Sequence, residues 1–160
     1  MVDHGGGLSA HPPIGPSDLP RSGRLLGIDW GERRIGLALS DPTQILAHPL
    51  ATLTRRTGRR FPIRALRDQL DEHRPVGIVV GLPLESDGTE GASARAARDM
   101  GNLVADASGL PLAYVDERMT TSRVKHSIAE AGGTTKGRAG ELDRLAATVV
   151  LQSFLDRRRG

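Results

Sequence analysis

The chain has 160 residues, no cysteine and a formal net charge of +3 at pH 7. That length suits one domain with a real core and is cramped for two, and zero cysteines exclude disulfides and thiolate zinc sites, in keeping with a reducing compartment. No apolar run reaches the ~18 residues of a membrane span, and the N-terminal segment lacks the apolar core of a signal peptide, so a cytoplasmic location is expected.

The Gly-, Pro- and Ser-rich stretch 1–23 reads as a disordered tail, residues 24–157 as one domain, and 158–160 as a basic end. "LLGID" and "RIGLALS" are two apolar runs joined through "GERR", which predicts a β-hairpin with Gly31 in a backbone conformation suited to glycine. "ILAHPLATLT" follows as a third strand, and its Pro49 marks it as an edge. Ile63, Leu66 and Leu70 then fall at helical spacing, and the helix ends at Arg74-Pro75. "VGIVVGLP" is the continuous apolar run of a central parallel strand.

After the polar loop "ESDGTEG", a helix is expected over about 92–107, with Ala92, Ala96, Met100, Leu103 and Ala107 along one face. Gly109 stops it. "LPLAYVDE" is the next strand, followed by a helix capped at Thr120 or Thr121 and carrying Val124, Ile128 and Ala131. A basic glycine-rich loop, 132–140, leads to a last helix over about 141–157, with Leu142, Leu145, Val149 and Phe154 on one stripe. The order β-β-β-α-β-α-β-α-α predicts an α/β domain, a mixed sheet with helices on both faces.

Three acidic positions stand out. Asp29 lies inside an apolar strand, Asp116 and Glu117 close the last strand, and Asp143 enters the final helix on an alanine-rich background. A buried carboxylate is costly without a partner. If the strands carrying Asp29 and Glu117 are neighbours, the final helix can lay Asp143 across their ends. Such a cluster calls for a cation with oxygen ligands, most naturally Mg²⁺ or Mn²⁺, and two such ions suit phosphodiester hydrolysis. Read singly, the same residues are a turn or cap residue at Asp29, a strand-end pair Asp116–Glu117 answering Arg118, and a helix-start charge at Asp143.

Four stretches in order, "GIDWGERRIGLALSD", "IVVGLPLESDGTEG", "VDERMTTSRV" and "ELDRLAATVVLQSFLD", resemble the YqgF family, also called the RuvX or Holliday junction resolvase-like family. The resemblance covers roughly residues 24–156. It implies an RNase H-like fold, a five-stranded mixed sheet with the antiparallel hairpin strands first, and a metal-dependent nuclease site. It also implies hydrolysis at the 5′ end of pre-16S rRNA in ribosome biogenesis, with an older proposal of Holliday junction resolution on branched DNA. The family's acids carry over to Asp29, Glu117 and Asp143, as catalytic residues and metal ligands. Adjacent strand residues point to opposite faces, so only one of Asp116 and Glu117 faces the metal. Trp30 departs from the family pattern, where Phe or Val is expected.

Arginine supplies 20 of the 22 basic residues, which suits phosphate binding and equally a GC-rich genome. Arg33, Arg34, Arg118, Arg123, Lys136 and Arg138 are the candidate nucleic-acid contacts, with Arg33 and Arg34 expected to face outward from the hairpin turn. Few aromatic residues are present, so stacking of bases on an aromatic platform is not expected. His48, His73 and His126 share no metal-type spacing, and neither a P-loop nor a nucleophile elbow occurs. The resemblance implies structured RNA or branched DNA as the partner. The state is monomer or homodimer, since symmetric junction cleavage calls for a two-fold dimer. A nucleic-acid-binding or ribosome-assembly module with idle carboxylates is the alternative of another class.

Overall fold

A computed structural model describes residues 18–55, 61–119 and 139–159. Five strands form one sheet: β1 (Leu25–Asp29), β2 (Arg34–Ser40), β3 (Ala47–Thr54), β4 (Gly77–Leu82) and β5 (Leu112–Asp116). Their order is β3-β2-β1-β4-β5. β1 pairs antiparallel with β2, and β2 with β3, whereas β4 runs parallel to both β1 and β5. This is the mixed five-stranded sheet expected of an RNase H-like fold. β3 is an edge strand as Pro49 predicts, with a register shift opposite Leu37 and Ala38.

Helices cover both faces. α1 (Ile63–His73) and α2 (Ala92–Ser108) lie over one, where Leu66, Met100, Val104 and Ala105 join Leu26, Ile28, Ile78 and Val80. α3 (Ala139–Arg159) covers the other, packing Ala147, Val150, Leu151 and Phe154 against Leu25, Ala38, Val79, Ala113 and Val115. Alternate strand residues serve opposite cores, as a two-sided sheet requires. No helix among the described residues is long and apolar enough to cross a membrane.

Several local expectations change. The buried side of α2 is Ala94, Ala97, Met100, Gly101, Val104 and Ala105, and Leu103 is 44% exposed. Small residues accompany Met100 and Val104 on the face toward the sheet, and Gly101 admits the Tyr114 hydroxyl at close range. In α3, Leu142 and Phe154 are buried but Leu145 is exposed, because Ala146, Ala147, Val150 and Leu151 carry the contact. Gly31 does not have positive φ; a Cβ there would instead overlap the Arg34 carbonyl oxygen. Gly109 does stop α2, at φ 72°, and Arg74 ends α1 in the left-handed region.

Described residues within the expected tail and basic end make contacts with the domain. Leu19 is buried in the core beneath α3, and Gln44 Nε2 donates to the carbonyls of Pro20 and Gly23, both at 2.9 Å. α3 runs to Arg159, and the guanidinium of Arg158 lies 5.2 Å from the Phe154 ring centroid while donating to the Leu19 carbonyl at 2.9 Å. The apolar side chain of Leu19 and the snorkelling stem of Arg158 extend the domain at both ends. The helix expected after Thr120, with Val124, Ile128 and Ala131, and most of the 132–140 loop lie outside the described residues.

Candidate nuclease site

The candidate acids are gathered by the sheet through glycines. Gly27 of β1 faces α3, since a Cβ there would press on Ala147 and Leu151. Asp29, two residues on, shares that face and is 5% exposed. Its partner in β2 is Gly36, and the β1–β4 register, Ile28 with Val80, puts Gly81 level with it on the other side. Asp29 thus ends its strand with a glycine on each flank.

Each glycine is filled by another candidate residue. A Cβ at Gly81 would overlap the Glu117 carboxylate, with Cδ and Cγ each 2.8 Å away. A Cβ at Gly36 would overlap the backbone carbonyl of Asp143. The first turns of α3 are pressed onto β2 there. Thr52 on β3 holds them, donating to the Gly140 carbonyl at 2.8 Å and accepting from Arg144 at 3.1 Å. Glycine inside a strand is the residue that permits such close approach.

The strands leading to Asp29 and Glu117 are not neighbours, so the condition set for convergence is not met directly; β4 runs between them. Gly81 closes the gap, because the Glu117 side chain lies over β4 where another residue would carry a side chain. Glu117 is 8% exposed. It follows Val115 by two residues and shares its face, the α3 side, whereas Asp116 falls on the other.

Asp116 is engaged by Arg118, whose Nη2 lies 2.7 Å from Oδ2 and whose backbone N–H donates to Oδ1 at 2.9 Å. The hydrogen bonds from Arg118 hold the Asp116 carboxyl below the usual carboxylate range, and Asp116 raises the guanidinium in turn. Arg118 also reaches the Ser86 carbonyl at 3.4 Å. It therefore ties the 83–91 loop to the end of β5. That loop is internally bonded as well: Asp87 accepts from the Thr89 hydroxyl at 2.7 Å, which lowers its pKa. Glu90 takes two 2.7 Å bonds from Arg98.

Asp143 meets a cation already on the protein. Arg34 Nε donates to its Oδ2 at 2.8 Å across 109 residues of sequence. Arg34 does not point outward as expected; it opens β2 two residues before Gly36 and shares its face. Arg33 is exposed. Arg123, Lys136 and Arg138 lie outside the described residues. Trp30, the departure from the family pattern, is half-buried between two apolar clusters, with the Arg55 guanidinium 4.3 Å from its ring centroid.

Asp29 and Glu117, buried and all-oxygen, with the half-buried Asp143 beside them, have the donor chemistry that a hard divalent cation prefers. Among the described residues, no three acids or imidazoles yet stand as a ready ion-holding group. The sequence places Gly81 at the end of a buried strand beside the expected site, but the close approach of Glu117 to it, and of Asp143 to Gly36, went unread; the signal for both was glycine within an apolar strand.

The family model described as "RuvX: Holliday junction resolvase" matches residues 23–157. A protein of Paramagnetospirillum magneticum named "Putative pre-16S rRNA nuclease" is 39% identical over 153 residues, covering 93% of this chain and 98% of the relative. One of the same name from Phenylobacterium zucineum is 41% identical over 150 residues, covering 92% and 93%. A solved structure of T. thermophilus RuvC in complex with Holliday junction substrate aligns at 18% identity with a TM-score of 0.48, covering 86% of this chain and 96% of that one. The family model takes in the whole sheet, both flanking glycines and all three acids, and the relatives match almost end to end, so the chain belongs to the RuvX family.

Proposed function

We propose that this nuclease of the RuvX family hydrolyses phosphodiester bonds in structured RNA, at the 5′ end of pre-16S rRNA in the cytoplasm. In this reading Asp29, Glu117 and Asp143 hold Mg²⁺ or Mn²⁺. The observation that carries it is the glycine-flanked acid: Asp29 at the strand end, with Glu117 laid over Gly81 and Asp143 over Gly36. A purely structural acid does not need its sheet neighbours cleared on both sides.

When bound, the divalent ion supplies an activated water and neutralises charge on the leaving oxygen. The protein's own residues do the rest. The sheet fixes Asp29, the turn that follows β5 lays Glu117 over Gly81, and the pinned first turns of α3 fix the backbone of Asp143. Arg33 on the exposed turn and the basic residues Arg123, Lys136 and Arg138 are the proposed grips on flanking phosphates, which position a nucleic acid without reading its sequence. Arg118 braces the 83–91 loop against Asp116, so its contribution is to the wall of the site.

The test is cleavage of a pre-16S rRNA fragment and of a four-way DNA junction in Mg²⁺ or Mn²⁺ by the wild type, Asp29→Asn and Glu117→Gln. The reading requires metal-dependent RNA cleavage that both substitutions remove. The family's description favours the junction as a second substrate. Preferential symmetric junction cleavage by a dimer would favour that reading, because paired nicks need paired sites.

A further inference from the structure

The face that carries the three acids also carries one arginine aimed at one of them. Gly36 lets the backbone of Asp143 settle onto β2, and Thr52 holds the adjacent Gly140 carbonyl. The Asp143 main chain is therefore fixed, and only rotation of a short side chain decides where its carboxylate goes. In this structure it goes to Arg34, with side-chain exposures of 37% for the arginine and 18% for the acid.

We propose that Arg34 is a built-in counter-ion that competes with the divalent metal for Asp143. It is a positioning residue that keeps the third carboxylate paired until an ion recruits it. The inference rests on the reading of Asp143 as a metal ligand. Carboxylates gathered at one end of the sheet repel one another, and giving Asp143 its own cation eases that repulsion while the metal is absent. The pair is half-exposed, so it is weak enough to exchange; a fully desolvated pair would resist opening.

Exchange has a second result. Arg34 released from Asp143 stands beside the acids with a planar guanidinium matched to phosphate oxygens. Metal loading then delivers a phosphate-binding group to the same place, and by linkage substrate phosphate favours metal loading. Arg34 thereby couples the two binding events through one side chain.

The experiment titrates Mn²⁺ alone into the full chain, following the electron paramagnetic resonance signal of the free ion, for the wild type, Arg34→Gln, Arg34→Lys, Asp143→Asn and the Arg34→Gln/Asp143→Asn double variant. Thermal melting establishes that each is folded. Removing the competitor should tighten Mn²⁺ binding about fivefold in Arg34→Gln, the factor to which an ion pair of ~1 kcal/mol converts. Arg34→Lys, which keeps the charge, should stay near the wild type. The gain should vanish in the Asp143→Asn background, where there is nothing to compete for; an effect on folding alone would persist there.

Unchanged or weaker Mn²⁺ binding by Arg34→Gln overturns the competition. If Asp143→Asn still weakens binding, the ligand reading survives that failure. If Asp143→Asn binds Mn²⁺ as the wild type does, the ligand reading itself fails and takes the competition with it.

Discussion

The carboxylate of Glu117 occupies the space that a side chain at Gly81 would need. A strand interposed between two acids ordinarily separates them, and here it does not, because the interposed residue has no side chain. Gly81→Ala should displace Glu117 and cost about 1–3 kcal/mol of stability through overpacking. Nuclease activity should fall far more than the folded fraction does. Chemical denaturation and a cleavage assay on the same preparation separate the two losses.

Gly36→Ala makes the complementary prediction on the other flank. The new methyl would strike the Asp143 backbone and Arg144, not a flexible side-chain end, so the first turns of α3 must shift. We expect a loss of stability of the same order. Amide hydrogen exchange should quicken at the start of α3 before it quickens in the central strands.

Asp29→Asn should keep the fold and lower cleavage by roughly a hundredfold or more, the order expected for a group that acts in the transition state. A large drop in melting temperature with cleavage retained would assign Asp29 to structure.

The Asp116–Arg118 pair predicts a pH dependence with a definite sign. Asp116 is held below its ordinary pKa in the folded chain, so its contribution is present above the unfolded value of about 3.9 and is lost as pH falls through the folded one. Arg118→Ala should melt slightly below the wild type at pH 7, and the gap should close as the pH drops below about 4. The pair is solvent-facing, so raising salt should shrink the same gap.

Trp30 is the one tryptophan of the chain, and Arg55 stacks on it. Arg55→Ala should alter Trp emission and cost about 0.5–1 kcal/mol. Intrinsic fluorescence reads the first and urea unfolding the second.

Much of this was legible in the sequence, and the boundary has physical causes. Strands β1, β2 and β4 read directly because buried strands are near-continuous apolar runs. Asp29 stood out because it interrupts one. The helix faces were partly misread because half or more of the buried side of α2 is Ala and Gly and α3 interposes Ala146 and Ala147 among its large apolar residues, while Leu103 and Leu145, the residues that catch a periodicity argument, stand in solvent. The inward turn of Arg34 was invisible because its partner is 109 residues away. Alternation predicts opposite faces for Asp116 and Glu117, although Glu117 falls just past β5; its place over Gly81 needed the order of the strands.

Arg158 donates to the carbonyls of Leu19 and Pro20 at 2.9 Å and 3.3 Å, so positions far apart along the chain are stitched together beside the start of β1 and β4. That seam lies at the opposite end of the sheet from Asp29. Covalent order along the backbone is then separable from the chemistry. A circular permutant that joins residue 159 to residue 18 by a short linker preserves every strand pairing, and the severed link can be moved to an exposed turn without touching the acids.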